Sequence, residues 1–235
     1  AGAPRLLAKL GALLLPVVAF VVFVVLNGSI VVGDKEHHQA VLHWAQLAYL
    51  SAAVFAMFGA WGDDGVLSPR YLRAALSLAL KPTSMLGCAA AVACTAGVLH
   101  KYSLAHPFLL ADNRHFTFYV WGRFLGRIPW LKEALAPVYC YCSWFTWRRL
   151  GEAQSQLWVL IWLVAATLTL VPAHLIEPRY LTTAVVVAHA HAPERTWTAT
   201  AVTAAGCILV NAATVALFLY KPFTGVEGGQ ERWMW

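Results

Sequence analysis

Residues 6–26 read LLAKLGALLLPVVAFVVFVVL, an apolar run interrupted only by Lys9 and Pro16. A helix of about 20 apolar residues can cross the hydrocarbon core of a membrane, so this run predicts a membrane-spanning helix. Six further apolar segments follow, three of them long and three weaker: Gln156–Ile176, Ala40–Trp61, Trp197–Tyr220, Ser84–His100, Ala134–Trp147 and Tyr180–Ala192. The 235-residue chain is 60% hydrophobic and 12% charged. We therefore predict an all-α fold, a polytopic transmembrane bundle of about seven spans that forms one membrane domain over residues 1–235.

The positive charge of the chain follows the connections between these apolar runs. A net charge of +6 and an isoelectric point near 9.2 could indicate nucleic acid, but membrane topology explains cations in short loops better. The topology predicted from them has two sides. One side has Arg5, Lys9, Arg70, Arg73, Lys81 and Arg148–Arg149, and the other has 27–39, 101–132 and 177–179. The loop 101–132 is itself basic, against the usual charge rule. Either this topology is wrong or the cations have another role, and we favour a role in binding phosphate.

A polar loop at residues 106–124, HPFLLADNRHFTFYVWGRF, stands out from the apolar background. Polar side chains are costly near a membrane interior and usually line a water-filled site or an interface. Two other polar clusters fall on the same predicted side, GDKEHHQ at 33–39 and EPRY at 177–180. Guanidinium and ammonium groups neutralise phosphate, and carboxylates or imidazoles move protons. The three clusters predict a site for an anionic lipid headgroup, although solvated turns and an interfacial loop anchored by its aromatics remain simpler interpretations.

Helix packing is indicated at one segment. Ala89, Ala93 and Gly97 recur at every fourth position, a spacing typical of helices that approach closely, and this places Ser84–His100 inside the bundle. Residues 70–81 are interpreted as a charged connection.

The polar clusters, taken in order, resemble a known family. The segments NGSIVVGDK at 27–35, HPFLLADNRHFTFYVW at 106–121, EPRY at 177–180 and RWMW at 232–235 are similar to the endoplasmic-reticulum α-1,2-glucosyltransferases of the dolichol pathway. That family adds the third, terminal glucose to the lipid-linked oligosaccharide. The resemblance implies a GT-C-like, multi-pass protein of the endoplasmic-reticulum membrane with a luminal active site. It also implies that the chain corresponds to about the C-terminal half, because an acidic motif in the first luminal loop of the family has no match here.

The resemblance further implies an inverting transfer of glucose from dolichyl phosphate glucose to the diglucosylated lipid-linked oligosaccharide. Such a transfer needs one base for the acceptor hydroxyl and cations for the departing phosphate. We assign Arg114, Lys35 and Arg179 to the phosphate, His115 and His37 to hydrogen bonding or proton transfer, and Asp34, Asp112 and Glu177 to sugar hydroxyls or orientation of the cations. The full candidate set has catalytic residues Asp34, His37, Asp112 and His115, and substrate-binding residues Lys35, His106, Asn113, Arg114, Tyr119, Trp121, Arg123, Glu177 and Arg179.

No metal ion is expected, because Cys140-x-Cys142 lacks a second ligand pair at zinc spacing. No other cofactor and no nucleic-acid partner are expected. The partners expected are the two dolichol-linked substrates. A different class of function stays open: a non-catalytic membrane protein that regulates a channel or another membrane partner. A transporter is disfavoured because the polar residues gather in loops rather than in the middle of spans.

Overall fold

The computed structural model describes residues 3–32, 35–36, 39–59, 65–111, 115–224 and 228–232. The chain divides into two compact units, Ala1–Ala40 and Val41–Trp235. Most of the described backbone is helical. The elements are α1 (Ala3–Asn27), α2 (Ala45–Phe58), α3 (Pro69–Leu80), α4 (Pro82–Tyr102), α5 (Pro107–Ala111), α6 (Phe116–Tyr119), a π-helix (Val120–Leu125), α7 (Leu131–Ala134), α8 (Ala136–Leu150), α9 (Gln156–Leu170), α10 (Pro178–His191), α11 (Trp197–Tyr220), β1 (Phe223–Thr224) and β2 (Gln230–Glu231).

The first unit contains helix α1, whose apolar side chains between residues 14 and 26 are mostly exposed. The chain turns at the end of the helix, where Gly28 has a φ of 68° that side chains other than glycine rarely adopt. The amide of Asn27 donates to the carbonyls of Ser29 and Val31, both at 2.8 Å. The ammonium of Lys35 donates to the carbonyl of Asn27 at 2.8 Å. The bond from Lys35 satisfies a carbonyl that the helix end leaves open, and the bonds from Asn27 hold the turn that follows.

The second unit is built around α2, which packs against α8, α10, α4 and α9. Its core is apolar and aromatic: Phe145 makes edge-to-face pairs with Phe58 at 5.6 Å and with Tyr71 at 4.9 Å between ring centroids. Hydroxyl side chains begin three helices by accepting a backbone N–H in the first turn. Ser68, Ser155 and Thr196 do so for α3, α9 and α11.

Each of the seven apolar segments predicted from the sequence contains a helix of the structure. Among the described residues, α4 and α11 are long and apolar enough to cross a membrane, whereas α2, α9 and the stretch Leu14–Asn27 of α1 are shorter apolar helical stretches. Residues 70–81, predicted as a connection, instead form most of α3. The prediction failed there because Arg70 and Arg73 break the apolar run, while the Ser68 cap, Pro69 and the leucines that follow favour a helix.

Two other predictions are corrected by the structure. Ala89, Ala93 and Gly97 are exposed, and the packed face of α4 instead contains Leu99, which is buried. A small-residue spacing shows that close approach is possible, but it does not identify which helix approaches. The all-α prediction also misses the antiparallel pair β1–β2, in which Phe223 lies opposite Glu231.

Candidate functional site

The packing of the second unit brings the connections between its helices to two opposite ends. One end gathers the start of α2, the end of α4, the segment α5–α7 and the connection between α9 and α10. His43, His106 and His174 meet there, and this is the histidine end. The sequence-derived topology predicted that 101–132 and 177–179 share one side, and within this unit they share this end.

His43 lies at the centre of the histidine end, fully buried, two residues before α2. The backbone N–H of Leu104 donates to its Nε2 at 3.2 Å, so Nε2 is the acceptor nitrogen. Its Nδ1 then carries the proton and donates to the carbonyl of His174 at 3.1 Å. Burial lowers the pKa of the His43 imidazole below 6.5, partly offset by hydrogen bonds from its proton to backbone carbonyls. A neutral His43 therefore joins the connections after α4 and α9.

A set of hydrogen bonds holds the connection between α9 and α10 against the start of α2. The backbone N–H groups of Val41 and His43 donate to the carbonyls of Pro172 and Val171 at 3.2 and 2.9 Å. The buried amide of Gln46 donates to the carbonyls of residues 173 and 175 at 3.3 and 3.2 Å. Backbone carbonyls in an irregular segment need such donors when they are withdrawn from water. The result is a fixed path for the chain into Glu177 and α10.

His106 packs on this connection from the other side. Its side chain is 3% exposed, and its ring meets that of His174 edge-to-face with centroids 4.5 Å apart. A buried ring is suited to holding its neighbours in position, and the contact of His106 with substrate stays a prediction. His106 thereby ties the start of α5 to the segment that leads into Glu177.

Tyr49 connects the histidine end to the loop after α4. Its hydroxyl is 2.6 Å from the Ser103 hydroxyl, and its ring makes edge-to-face contacts with Trp121 at 5.7 Å and Tyr139 at 6.0 Å. Its ring also faces His43 at 6.3 Å. Trp121, a predicted substrate-binding residue, is thus held by its contact with α2.

Trp121 and Arg123 lie on the π-helix, a form that places an extra residue in one turn and is frequent at functional sites. The guanidinium of Arg123 lies over the ring of Tyr119, 5.1 Å from its centroid. Arg123 is exposed and Tyr119 half-buried. An exposed cation resting on an aromatic ring keeps its charge available to an anionic ligand.

Glu177 and Arg179 form an ion pair at the start of α10. The side chain of Glu177 is 25% exposed and that of Arg179 75% exposed, and the guanidinium also lies 5.7 Å from the centroid of the Tyr180 ring. Pro178 occupies the first position of the helix, and the helix N-terminus carries a partial positive charge. Arg179 therefore presents an oriented guanidinium beside a helix end that favours anions.

The predicted site residues are only partly assembled in the described chain. His106 contacts His174 and Trp121 contacts Tyr49 at the histidine end, whereas Glu177 pairs with Arg179 and Arg123 with Tyr119. His115 precedes α6 as its half-buried cap residue. Lys35 belongs to the first unit. Asp34, His37, Asp112, Asn113 and Arg114 lie outside the described residues.

Sequence reasoning missed His43, Gln46, Tyr49, Ser103 and His174. A signal for two of them was present, because His43 and Gln46 are polar residues inside the predicted span Ala40–Trp61, where polar groups are expensive. Among the described residues, no three His, Cys, Asp or Glu side chains are grouped so as to hold a metal ion.

The opposite end carries a second polar network, centred on the Glu152 carboxylate. Arg149 and Arg70 reach it at 2.8 and 2.9 Å, and the buried Tyr71 donates its hydroxyl at 3.0 Å. The side chain of Arg149 is 3% exposed and also donates to the carbonyl of Pro193 at 3.4 Å. The cations at this end are thus partly used to join α3, α8 and the segment before α11.

Comparison with known proteins gives a consistent result. The model of the DIE2/ALG10 family matches residues 3–190. A relative from Arabidopsis thaliana, named Dol-P-Glc:Glc(2)Man(9)GlcNAc(2)-PP-Dol alpha-1,2-glucosyltransferase, is 38% identical over 98% of this chain and 46% of its own length. Relatives with the same name from Rattus norvegicus and Homo sapiens are each 34% identical, over 94% and 92% of the chain and 46% and 44% of their own lengths. The chain therefore spans somewhat less than half the length of these relatives. No solved structure gives a significant match.

Proposed function

The chain belongs to the DIE2/ALG10 family, and from that premise we propose that it takes part in transferring glucose from dolichyl phosphate glucose to the diglucosylated lipid-linked oligosaccharide. The product is the terminal α-1,2-linked glucose used in protein N-glycosylation. The observation that carries the proposal is the agreement in name among relatives that match more than nine-tenths of the chain. The histidine end, with its exposed arginines beside aromatic rings, supports a place for the donor.

In the proposed reaction an acceptor hydroxyl attacks the anomeric carbon, and the bond from that carbon to the phosphate oxygen breaks with inversion. The electron pair leaves with dolichyl phosphate, and the hydroxyl proton passes to a base. Arg179 binds the phosphate, since an arginine fork matches phosphate oxygens and the helix N-terminus adds favourable charge. Arg123 adds a second cation.

His43, Gln46 and His106 are positioning residues in this proposal. Their bonds hold the connection that leads into Glu177, and Glu177 orients Arg179. We keep His115 as a candidate for hydrogen bonding or proton transfer and Tyr119 and Trp121 as candidates for substrate binding. Lys35 and the residues Asp34, His37, Asp112, Asn113 and Arg114 remain assigned from the sequence alone.

We further propose a multi-pass protein of the endoplasmic-reticulum membrane, with α1, α2, α4, α8, α9, α10 and α11 as its seven spans. Support comes from large apolar side chains on helix surfaces, such as Leu86 and Leu209, which are 81% and 70% exposed. The helices of 14 or 15 residues are about 21–23 Å long at 1.5 Å per residue, shorter than the hydrocarbon core, so flanking segments or local thinning must complete the crossing. Labelling of single cysteines from each side of sealed microsomes tests this arrangement.

The test of function uses cells that accumulate the two-glucose precursor. The full-length protein carrying this chain should restore the third glucose, and Arg179→Ala should slow that step about 30-fold or more, the effect expected when a charged hydrogen bond to phosphate is lost. Arg73→Ala, which removes an exposed arginine of α3, is the matched control and should restore normally. Transfer at the normal rate by Arg179→Ala would disprove the phosphate role, and no rescue by the unaltered protein would favour a non-catalytic membrane function.

Arg114→Ala is the corresponding test for the loop residue assigned from sequence. A normal rate of elongation in that variant would remove Arg114 from the phosphate site. We propose that the reaction uses no metal or other cofactor, so activity measured in microsomes should persist after treatment with a chelator. Loss of activity that added Mg²⁺ or Mn²⁺ restores would contradict this.

A further inference from the structure

A groove of about 410 Å³ runs between α9 and α10. It begins at the histidine end and extends along the two helices toward the opposite end. Its α9 wall extends from Trp158 to Thr169, which is about 16 Å at 1.5 Å per residue, or half of the ~30 Å hydrocarbon core. Tyr180 and Thr183 contribute to the α10 wall. A groove of this length is longer than a lipid headgroup needs, and it suits the apolar chain of a lipid.

The groove is lined mainly by carbon, and several of its polar groups have partners within the protein. The indole of Trp162 donates to the carbonyl of Ala184 at 3.1 Å, which also fastens the two helices together. The hydroxyl of Thr169 donates to the carbonyl of residue 166 at 3.0 Å. Trp158 stacks on His191 at 4.7 Å and lies at the end of the groove away from Thr169. Such a lining favours an apolar ligand.

A cation lies where the groove reaches the histidine end. Tyr180 lines the groove, and the guanidinium of Arg179 lies over the Tyr180 ring. The N-terminus of α10, with Pro178 at its first position, adds a partial positive charge at the same place. Glu177 pairs with Nε of Arg179 and leaves the guanidinium side chain 75% exposed. An apolar groove with an exposed guanidinium and a helix N-terminus at its mouth is complementary to an amphiphile that has one long apolar chain and one anionic head.

We propose that this groove binds the isoprenoid chain of the donor, dolichyl phosphate glucose, next to its phosphate at Arg179. The proposal rests on the proposed function and adds to it the place of the lipid. In a membrane, moving an apolar chain from lipid into an apolar groove releases little free energy, so the affinity must come from the headgroup. The groove sets the direction in which the chain lies. One guanidinium and a helix end match a single phosphodiester better than the pyrophosphate of the acceptor, which commits the groove to the donor.

The kinetic test fills the groove without touching the cation. Ala165 lines the groove, whereas its neighbour Val164 is exposed outside it, so Ala165→Phe and Val164→Phe form a matched pair. With full-length dolichyl phosphate glucose, Ala165→Phe should raise KM about tenfold and leave kcat unchanged, as expected when an added side chain excludes the ligand. With methyl phosphate glucose, a donor that has a methyl group in place of the isoprenoid chain, neither variant should change KM. An equal effect on both donors, or none on either, overturns the proposal.

A second pair covers the case in which Ala165→Phe does not fold. Thr183 lines the groove and Thr182 does not, so Thr183→Leu and Thr182→Leu are compared in the same way.

A binding experiment separates this proposal from the proposed function, because it needs no transfer of glucose. Photoreactive dolichyl phosphate in phosphatidylcholine vesicles should label α9 and α10 in the unaltered protein and in Val164→Phe, but not in Ala165→Phe. Labelling elsewhere, equal labelling by dolichol without phosphate, or labelling by the pyrophosphate-linked acceptor in its place contradicts the assignment. A protein that labels as expected but transfers no glucose would refute the function and retain the groove.

Discussion

Replacing His43 by alanine should destabilise the second unit at the histidine end more than any exposed histidine would. The variant loses the bond from Nδ1 to the His174 carbonyl and the bond from the Leu104 N–H to Nε2. Each leaves a partly buried backbone group without its partner, at about 1–2 kcal/mol apiece. Removing a fully buried imidazole adds a cavity cost of about 1–2 kcal/mol. The expected loss in the free energy of unfolding is therefore about 3–6 kcal/mol.

The measurement is unfolding of the purified protein in detergent, followed by circular dichroism and by tryptophan fluorescence. For a chain of this length the change corresponds to a fall in Tm of about 6–24 °C. His100→Ala is the matched control, since the side chain of His100 is 79% exposed and its ion pair with Glu133 is worth at most about 1 kcal/mol. If His43→Ala lowers Tm no more than His100→Ala does, the bonds of His43 do not hold this end together.

A double-mutant cycle tests whether His43 and Gln46 hold the same segment. Gln46 and His43 bind the same connection between α9 and α10, so Gln46→Leu and His43→Ala should not be additive. Once one substitution has released the segment, the other removes fewer remaining interactions, so the coupling energy should be about 1 kcal/mol or more. Strict additivity would mean that the two side chains act on independent parts of the structure.

Three other measurements test particular parts of the molecule. The pKa of His43 is lower in the folded protein than its ordinary 6.5, so the unfolded chain binds more protons just below pH 6.5. The free energy of unfolding should therefore fall by up to about 1.4 kcal/mol per pH unit as the pH drops below 6.5. If the Tm of a His43→Gln variant varies with pH as in the unaltered protein, this pH dependence belongs to another group. Glu152→Gln should cost about 3 kcal/mol in chemical unfolding, because the nearly buried Arg149 loses its carboxylate partner, and a change below 0.5 kcal/mol would refute this. In Gly126→Ala the new Cβ would lie 2.8 Å from the carbonyl oxygen of Trp121, so the π-helix must shift, and we expect about 1–3 kcal/mol of destabilisation, whereas Gly122→Ala meets open space and serves as control.

The helices were predictable because the sequence pattern that determines each of them lies within one continuous stretch of the chain. An apolar run such as Trp197–Tyr220 has nowhere to place its backbone polar groups except in a helix, and the structure begins and ends α11 at those same residues. The failure at α3 has the opposite cause, since its apolar positions are periodic rather than continuous and a search for continuous runs passes over it.

The histidine end was only partly predictable because its contacts join residues far apart in the chain. His43 and His174 are 131 positions apart, and no feature of either segment identifies the other. Polarity within an apolar stretch does indicate that Gln46 must find a partner, since an amide withdrawn from water without one is costly. What polarity does not indicate is whether that partner is a substrate or the protein itself.

This distinction decides how the predicted site should be interpreted. His106 satisfied every sequence criterion for a substrate-binding residue, yet it packs against His174 with 3% of its surface exposed. Arg179 satisfied the same criteria and remains 75% exposed beside the groove of α9 and α10. Under the proposed function, a buried polar residue of the histidine end acts on the reaction through the position of Arg179. Its substitution by a smaller side chain should therefore lower Tm and also raise the KM for the donor. Substitution of Arg179 should leave Tm nearly unchanged while the rate of transfer falls, because an exposed ion pair contributes little to folding.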